Sequence, residues 1–133
     1  MSTYVLIHGS YQGGWIWKPT AEELVKKGHT VYAPTLDGCG ERSISIRPGI
    51  TIESQAEEVS GFLNYQDLTD LILVATSTGG LVTCKVAELS RSRVKEIFFG
   101  QSKTIEFRFF PTRRNASRKS GLLWAPTDQN SKL

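Results

Sequence analysis

The sequence contains few of the features that mark a membrane or secreted protein. No apolar run approaches the roughly 20 residues that a helix needs to cross a bilayer. The N-terminus, MSTYVLIHG, lacks both the basic start and the small-residue cleavage site of a signal peptide. These absences exclude a membrane-spanning protein and favour a cytoplasmic one with no membrane partner.

Cysteine and histidine are also scarce. The two cysteines, Cys39 and Cys84, lie in unrelated sequence contexts and lack the spacing of metal ligands. Free thiols suit a reducing compartment, so no disulfide framework, metal site or other cofactor is expected. The sequence has only two histidines, His8 and His29, which limits the histidine-dependent chemistry that it can support.

Acidic residues are scarce near the C-terminus, which the formal net charge of +3 conceals. Residues 1–99 contain nine Lys or Arg against eleven Asp or Glu, whereas residues 100–133 contain seven against two. The basic charge therefore belongs to a tail, residues 100–133, and says little about what the rest of the chain binds. The tail has no interleaved aromatic platform, so nucleic acid is not an expected partner.

What is present is one domain in which short apolar runs alternate with amphipathic segments. The predicted strands are 4–7, 30–33, 71–74 and 94–99, and the predicted helices run from Lys18 to Gly28, from Thr51 onward and over 81–89. Thr51 is the expected cap of the second helix, with Ser54 as the alternative, and 34–50 is expected to be an irregular loop. This alternation predicts an α/β fold with a doubly wound parallel sheet. Ligands bind such sheets at the carboxyl ends of the strands.

The stretch from Leu71 to Gly80, LILVATSTGG, is the most informative part of the sequence. An uncharged strand turns within a few small residues into a helix, which is the geometry of a nucleophile elbow with Ser77 at its apex. The helix N-terminus presents free N–H groups and partial positive charge to whatever Ser77 attacks. Gly79 meets the need for a small neighbour, whereas Ala75 adds a methyl group where the G-x-S-x-G pattern has glycine. An ordinary strand-to-helix turn is the alternative.

A second glycine-rich loop, His8 to Trp15, follows the first predicted strand. A dinucleotide-binding turn would need the spacing G-x-G-x-x-G, but the glycines fall at 9, 13 and 14, and no acidic residue ends the second strand. A Walker loop is excluded because Gly-Lys-Ser/Thr is absent. The favoured interpretation is that Gly9 and Ser10 bring backbone N–H groups to an oxyanion, together with the N–H of Thr78.

These motifs together resemble the N-terminal half of an α/β-hydrolase. The similarity runs from about Thr3 to Phe99 and contains the strand, the His-Gly loop, the tryptophans, the Gly-Glu-Arg-Ser loop and the elbow in order. It is nearest to the branch of small bacterial esterases, plant methyl esterases and hydroxynitrile lyases. The resemblance implies that residues 1–99 are the N-terminal part of a carboxylic-ester hydrolase domain that acts on a small ester or related acyl substrate.

The same resemblance implies a set of site residues. They are Ser77 as the catalytic nucleophile, Gly9, Ser10 and Thr78 in the oxyanion hole, and His8 and Trp15 as pocket or loop support. Gly9 stands where the lyases carry a threonine, which favours the esterase side of the branch. His8 should hold its turn by hydrogen bonds, and Trp15 and Trp17 should pack the first helix onto the sheet.

The sequence departs from the family in the rest of the catalytic triad. The family's acid and histidine follow later strands, but no histidine follows residue 99 and the only later carboxylates are Glu106 and Asp128. His29 should lie at the amino end of the sheet, and Asp37 and Glu41 are the candidate replacement acids. A serine without a base is a poor nucleophile. Little or no turnover is therefore expected, and a non-catalytic small-molecule-binding protein is the alternative.

The resemblance predicts the strand order 2-1-3-4, with the first helix on one face and the other two on the opposite face. The tail lacks the family's remaining elements, which suits either a truncated or frame-shifted hydrolase product or a natural short variant. Without a final helix, half of the apolar surface of strands 71–74 and 94–99 should lose its cover, and the last strand should present an unpaired edge. Residues 105–110 could pair there. A marginally stable chain, dimeric through the open face or prone to aggregation, is expected.

Overall fold

Strands and helices alternate along the chain. The structure, a computed structural model, describes residues 1–100 fully and residues 108–111 as backbone. The strands are β1 (Thr3–Ile7), β2 (Thr30–Tyr32), β3 (Leu71–Thr76), β4 (Val94–Gly100) and β5 (Arg108–Pro111), and the helices are α1 (Lys18–Lys26), α2 (Ile52–Tyr65) and α3 (Gly79–Leu89). Short 3-10 turns cover Gly14–Trp17 and Gly40–Ser45, the second inside the segment expected to be irregular. All the strands and helices predicted up to residue 99 are present within a few residues of their expected bounds.

The first four strands form a parallel sheet in the predicted order, β2-β1-β3-β4, and β5 adds an antiparallel strand beside β4. β1 and β3 pair from Thr3↔Leu71 to Ile7↔Ala75, which brings their carboxyl ends to one edge of the sheet. β5 overlaps the predicted strand 105–110, of which 105–107 lie outside the described residues. β5 pairs with Glu96 to Phe99, so the expectation of an unpaired β4 edge is wrong. The accompanying expectation that residues 105–110 could pair there is confirmed for 108–110.

Alternate side chains of the central strands face two separate cores. On one face, Val5 and Leu73 pack with apolar residues of α2 and α3. On the other face, Leu6 and Val74 pack with Trp17 and with apolar residues of α1. The predicted distribution of the helices over the two faces is confirmed, and burial of both faces is typical of a parallel sheet.

The sheet face beside α1 is better covered than the sequence suggests. Ile72 and Val74 are each only 6% exposed, and Phe98 is half-buried. The expectation that half of this apolar surface loses its cover is wrong, because Trp17 and the apolar side of α1 pack against it. A cleft of about 230 Å³ remains beside α1, lined by residues that include Tyr4, Leu6, Leu24, Val74 and Phe98.

Local signals in the sequence set the helix ends. Thr51 caps α2, as predicted, and shares a capping box with Ser54: Thr51 Oγ1 accepts the Ser54 N–H at 3.0 Å, and Ser54 Oγ accepts the Thr51 N–H at 2.8 Å. Pro19 lies in the first turn of α1, and Gly28 follows its end in a left-handed conformation with φ 88°. Within the described ranges, no helix has the length and apolar character needed to span a membrane.

Candidate active site

Ser77 lies at the turn between β3 and α3 and has a left-handed backbone with φ 52°. Non-glycine residues rarely adopt this conformation, which costs roughly 1–3 kcal/mol. The serine is exposed, although Leu71 to Ala75 before it are buried. A strained and exposed serine between a buried strand and a helix is the elbow geometry expected at this residue.

Gly79, the first residue of α3, shows why the turn needs a glycine. A Cβ atom here would lie 3.0 Å from the Ile7 carbonyl oxygen and 2.9 Å from the His8 carbonyl carbon, and still closer to the His8 oxygen. The helix N-terminus can therefore approach the end of β1 only without a side chain. Ala75, which replaces the first glycine of the motif, is fully buried and packs in the core.

The loop after β1 lies directly against the elbow. A Cβ atom at Gly9 would lie 3.0 Å from Ser77 Cβ and 3.4 Å from the Thr76 carbonyl oxygen. The Gly9 N–H donates to Gln12 Oε1 at 2.8 Å, so this group, predicted to bind an oxyanion, is engaged within its own loop. Gln12 could not be singled out from the sequence, because one side-chain bond within an irregular loop leaves no periodic signal.

Ser10 and Thr78 lie side by side although 68 residues separate them. The Ser10 N–H donates to Thr78 Oγ1 at 2.8 Å, and the two hydroxyl oxygens are 2.7 Å apart. Thr78 is the N-cap of α3, and the Gly80 and Leu81 N–H groups of the first turn donate to the Ser77 and Thr78 carbonyl oxygens at 3.0 Å. Two of the three residues whose N–H groups were predicted to bind an oxyanion, Ser10 and Thr78, are therefore neighbours, next to Ser77.

His8 is fully buried and joins two loops. Its Nε2 accepts the Leu36 N–H at 2.9 Å, so the proton lies on Nδ1, which donates to the Gly9 carbonyl oxygen at 2.7 Å. Burial lowers the pKa of His8, against smaller opposing effects of the Gly9 carbonyl and of Glu41. Because both ring nitrogens are engaged, His8 supports the turn and offers no free nitrogen to Ser77.

His29 lies at the opposite end of the sheet. Its Nδ1 accepts the Ser2 N–H at 3.0 Å, and its ring packs edge-on against Tyr4 with 5.2 Å between the ring centroids. Ser2 precedes β1, whereas Ser77 follows the carboxyl end of β3. The sequence has no third histidine, so the chain places no imidazole beside the serine.

The candidate replacement acids, Asp37 and Glu41, are engaged in loop structure. Arg47 binds Asp37 through hydrogen bonds of 3.1 and 2.8 Å, and Arg42 adds an ion pair at 3.4 Å. The hydrogen bonds from Arg47 are the main cause that lowers the pKa of Asp37. Hydrogen bonds from its own backbone N–H and from Thr35 lower the pKa of Glu41. Both groups are therefore bound carboxylates near neutral pH, which makes them weak bases.

Trp15 supports a loop and does not pack α1 onto the sheet. Its side chain is 61% exposed. Its indole Nε1 lies against Gly13, and a Cβ atom at Gly40 would lie 3.3 Å from it. The ring thus lies between the loop after β1 and the Gly40–Ser45 turn. Trp17 is 4% exposed and packs against the sheet, so the expectation for the two tryptophans is right for Trp17 and wrong for Trp15.

Two cavities adjoin the contact between Ser10 and Thr78. The smaller, of about 200 Å³, is lined by residues that include His8, Ser10, Leu36, Thr78 and Val82. The larger, of about 540 Å³, is lined by residues that include Ser10, Tyr11, Asp37, Ile46, Arg47 and Ile50. Cys39 lines both, and burial raises the pKa of its thiol. No cluster of three or more His, Cys, Asp or Glu side chains in the described part of the chain could hold a metal ion.

The sheet order, the helices on both faces and the exposed left-handed serine between β3 and α3 define an α/β protein with elbow architecture. The chain belongs to the α/β-hydrolase family: the family profile described as alpha/beta hydrolase fold matches residues 5–114. This match confirms the resemblance and extends beyond Phe99, where the similarity was expected to end.

Individual relatives are esterases of bacteria and plants. The chain is 35% identical over 99 residues to a carbendazim hydrolyzing esterase of Nocardioides sp. (strain SG-4G), covering 74% of this chain and 41% of that one. It is 32% identical over 98 residues to methylesterase 7 of Arabidopsis thaliana, covering 72% and 38%. The structure of an extracellular α/β-hydrolase from a Paenibacillus species matches with a TM-score of 0.69 and 38% identity, covering 74% and 40%. An α-hydroxynitrile lyase of Arabidopsis thaliana is a further relative, so the predicted branch is confirmed.

The chain spans about two fifths of the length of these relatives. The family match over residues 5–114 includes the elbow and most of the sheet. Groups that the relatives contribute from the rest of their length have no counterpart in the matched region.

Proposed function

We propose that the protein is a carboxylic-ester hydrolase in which Ser77 is the nucleophile. The observation that carries this proposal is the exposed, left-handed Ser77 between β3 and α3. Such strain persists only where the surrounding structure fixes it, and close packing at Gly79 and Gly9 fixes it here. The esterase and methylesterase relatives support the reaction class.

The proposed reaction begins when Ser77 Oγ attacks the carbonyl carbon of a small ester. The carbonyl oxygen then carries negative charge, which the N–H groups of Ser10 and Thr78 and the N-terminus of α3 stabilise. The bond from the carbonyl carbon to the alkoxy oxygen then breaks, the alkoxy group takes a proton from solvent and leaves as the alcohol, and the acyl group stays on Ser77 Oγ. Water then hydrolyses this ester, which releases the acid and restores the serine.

We infer that turnover by this chain is slow, because neither histidine serves Ser77. Both nitrogens of His8 are hydrogen-bonded, and His29 lies at the amino end of the sheet. The hydroxyl proton of Ser77 then passes to solvent, and loss of a general base typically costs several powers of ten in rate. Oxyanion stabilisation and substrate binding supply what remains.

Fluorophosphonate labelling and hydrolysis of a p-nitrophenyl ester test this proposal. In the labelling reaction, Ser77 Oγ bonds to phosphorus, fluoride leaves and the hydroxyl proton passes to solvent. We expect the wild type to be labelled slowly and Ser77→Ala not to be labelled. Ser92→Ala, at an exposed turn, is the control and should be labelled at the wild-type rate. Ester turnover should lie well below the roughly 1–10³ s⁻¹ of typical enzymes.

Added imidazole separates a missing base from a missing nucleophile. If Ser77 is competent, labelling and hydrolysis should rise with imidazole concentration, with Ser77→Ala giving the background that imidazole itself causes. An unlabelled Ser77 at every imidazole concentration would refute the nucleophile. Turnover in the normal range without imidazole, lost in Ser77→Ala, would instead refute the missing base.

The second candidate function is binding of a small acid or ester without hydrolysis. The cavities of about 200 and 540 Å³ beside Ser10 favour this function, because binding in a cavity requires no general base. Calorimetric titration with aromatic and aliphatic carboxylates measures it. Tight binding that Ser77→Ala preserves, in a protein that no fluorophosphonate labels, would favour binding over catalysis.

A further inference from the structure

The Thr78 hydroxyl oxygen accepts a hydrogen bond from the Ser10 N–H, a donor that the proposed reaction needs. The Ser10 N–H donates to Thr78 Oγ1 at 2.8 Å, and the Ser10 hydroxyl lies 2.7 Å from the same oxygen. An N–H group has one proton to donate. A carbonyl oxygen of the substrate can therefore accept it fully only after the Thr78 hydroxyl has moved away.

We propose that Thr78 is a positioning residue that keeps the oxyanion hole closed in the ligand-free protein. This inference rests on the proposed function, because it concerns the same donor. The hydroxyl acts as an internal competitor that any incoming oxygen, neutral or anionic, must displace. Displacing the hydroxyl costs the free energy of the one hydrogen bond that is broken. This cost weakens the binding of the substrate and of the transition state alike.

The helix position of Thr78 supports this role. An N-cap threonine normally accepts an N–H of its own helix, but the Thr78 side chain makes no capping hydrogen bond to α3. Its hydroxyl instead contacts a residue in the loop after β1. The hydroxyl can therefore leave Ser10 without cost to the helix.

A ligand can also reach the hydrogen bond between Ser10 and Thr78. The cavity of about 200 Å³ is lined by both Ser10 and Thr78, and both residues are exposed. A small carboxylic acid or amide can therefore reach the Ser10 N–H from this cavity. Solvent can hydrate the displaced hydroxyl, so displacement leaves no buried polar group without a partner.

Thr78→Val tests the inference, with Thr78→Ser as the matched control. The first substitution removes the hydroxyl and keeps the branched shape, and the second keeps the hydroxyl. Both are made in the Ser77→Ala background, so that the nucleophile has no part in binding. Titration with benzoate and with benzamide is followed by the ¹⁵N–¹H NMR signal of Ser10. The same samples report the rate at which the Ser10 amide exchanges with deuterium.

We expect Thr78→Val to bind both probes about 3- to 10-fold more tightly than Thr78→Ser, the range of one net hydrogen bond. The two probes should show a similar ratio, because the bond displaced is the same. In the ligand-free protein, the Ser10 amide should exchange several-fold faster in Thr78→Val.

Equal affinities and equal exchange rates in the two variants would overturn the inference, as would the failure of every variant to bind either probe. A different result would refute the proposed function without refuting this inference. If fluorophosphonate labels Ser77 in neither the wild type nor Thr78→Val while the affinity and exchange differences persist, the nucleophile is rejected and the competing hydroxyl stands.

Discussion

At the scale of single residues, glycine decides whether the elbow can form. Gly79→Ala places a methyl group against the carbonyl groups of Ile7 and His8, and such overpacking typically costs about 1–3 kcal/mol. We expect a lower free energy of unfolding in urea and at least a tenfold loss of Ser77 labelling. Gly61→Ala in α2 is the control, because its Cβ atom would meet nothing within 4 Å. It should stabilise the protein by up to about 1 kcal/mol.

His8 should make stability depend on pH. Burial lowers its pKa in the folded protein, so the unfolded chain binds more protons as the pH falls below about 6.5. The stability that neutral His8 contributes is therefore complete above that pH and is lost as the pH falls towards the folded pKa. Thermal unfolding from pH 8 to 5 should show this decline.

His8→Phe should remove that decline and lower stability throughout. It leaves the buried Leu36 N–H without its acceptor, which costs roughly 1–3 kcal/mol. Gly61→Ala, which changes no titratable group, should retain the wild-type pH dependence. An unchanged pH profile in His8→Phe would show that His8 is not the titrating group.

The sequence predicted which residues surround Ser77 better than how they contact one another. Motif spacing brings Gly9, Ser10 and Thr78 to one sheet edge, because the strands before them are parallel neighbours. The hydrogen bond from Ser10 to the Thr78 hydroxyl depends on packing between loops distant in sequence, for which a motif gives no signal. Trp15 was misplaced for the same reason, since an aromatic beside a helix can turn either to the sheet or to a loop.

At the scale of elements, ion pairs hold the segment between β2 and α2. Asp37 binds Arg47 and Arg42, and Arg42 also pairs with Glu58 of α2. The lowered pKa of Asp37 means that its carboxylate stabilises the fold above the unfolded pKa of about 4. This contribution is lost as the pH falls below 4 through the still lower folded pKa.

Asp37→Asn should therefore lower the melting temperature at pH 7 and flatten its decline below about pH 4. Circular dichroism melts between pH 7 and 2.5 measure both effects. Glu23→Gln is the control, because Glu23 is exposed and its ion pair among residues 1–100 is with Lys26 on its own helix. A similar loss at pH 7 in both variants would mean that the Asp37 pairs do not hold this segment.

Elements with strong periodicity were predictable, and those fixed by tertiary contacts were not. α2 and β3 follow from apolar spacing and from the cap at Thr51, which are local signals. The Gly40–Ser45 turn has no periodicity, and Arg42 within it contacts α2, a later element. The covered face of β3 was missed because Trp17 packs deeply against it, which depends on the path of the loop before α1.

At the scale of the whole molecule, we propose that copies of the chain associate with one another through the cleft beside α1. Leu24 and Phe98 line this cleft. Val25, which follows Leu24 in the sequence of α1, is 57% exposed. We expect sedimentation velocity to show a concentration-dependent dimer or larger species, and Val25→Lys to shift the population towards monomer. A clean wild-type monomer that unfolds cooperatively above about 60 °C, near the upper end for mesophilic domains, would contradict both the association and the marginal stability.

The pairing of β1 with β3 also determines when the protein can fold during its synthesis. β1 leaves the ribosome before β3, its longest partner, which begins at Leu71. At about 5–20 residues per second, the segment Thr3–Ile7 waits for several seconds with only the three residues of β2 to pair with. Its residues Val5, Leu6 and Ile7 are fully buried in the finished fold. A nascent chain stalled before β3 therefore exposes an apolar strand that the finished fold buries.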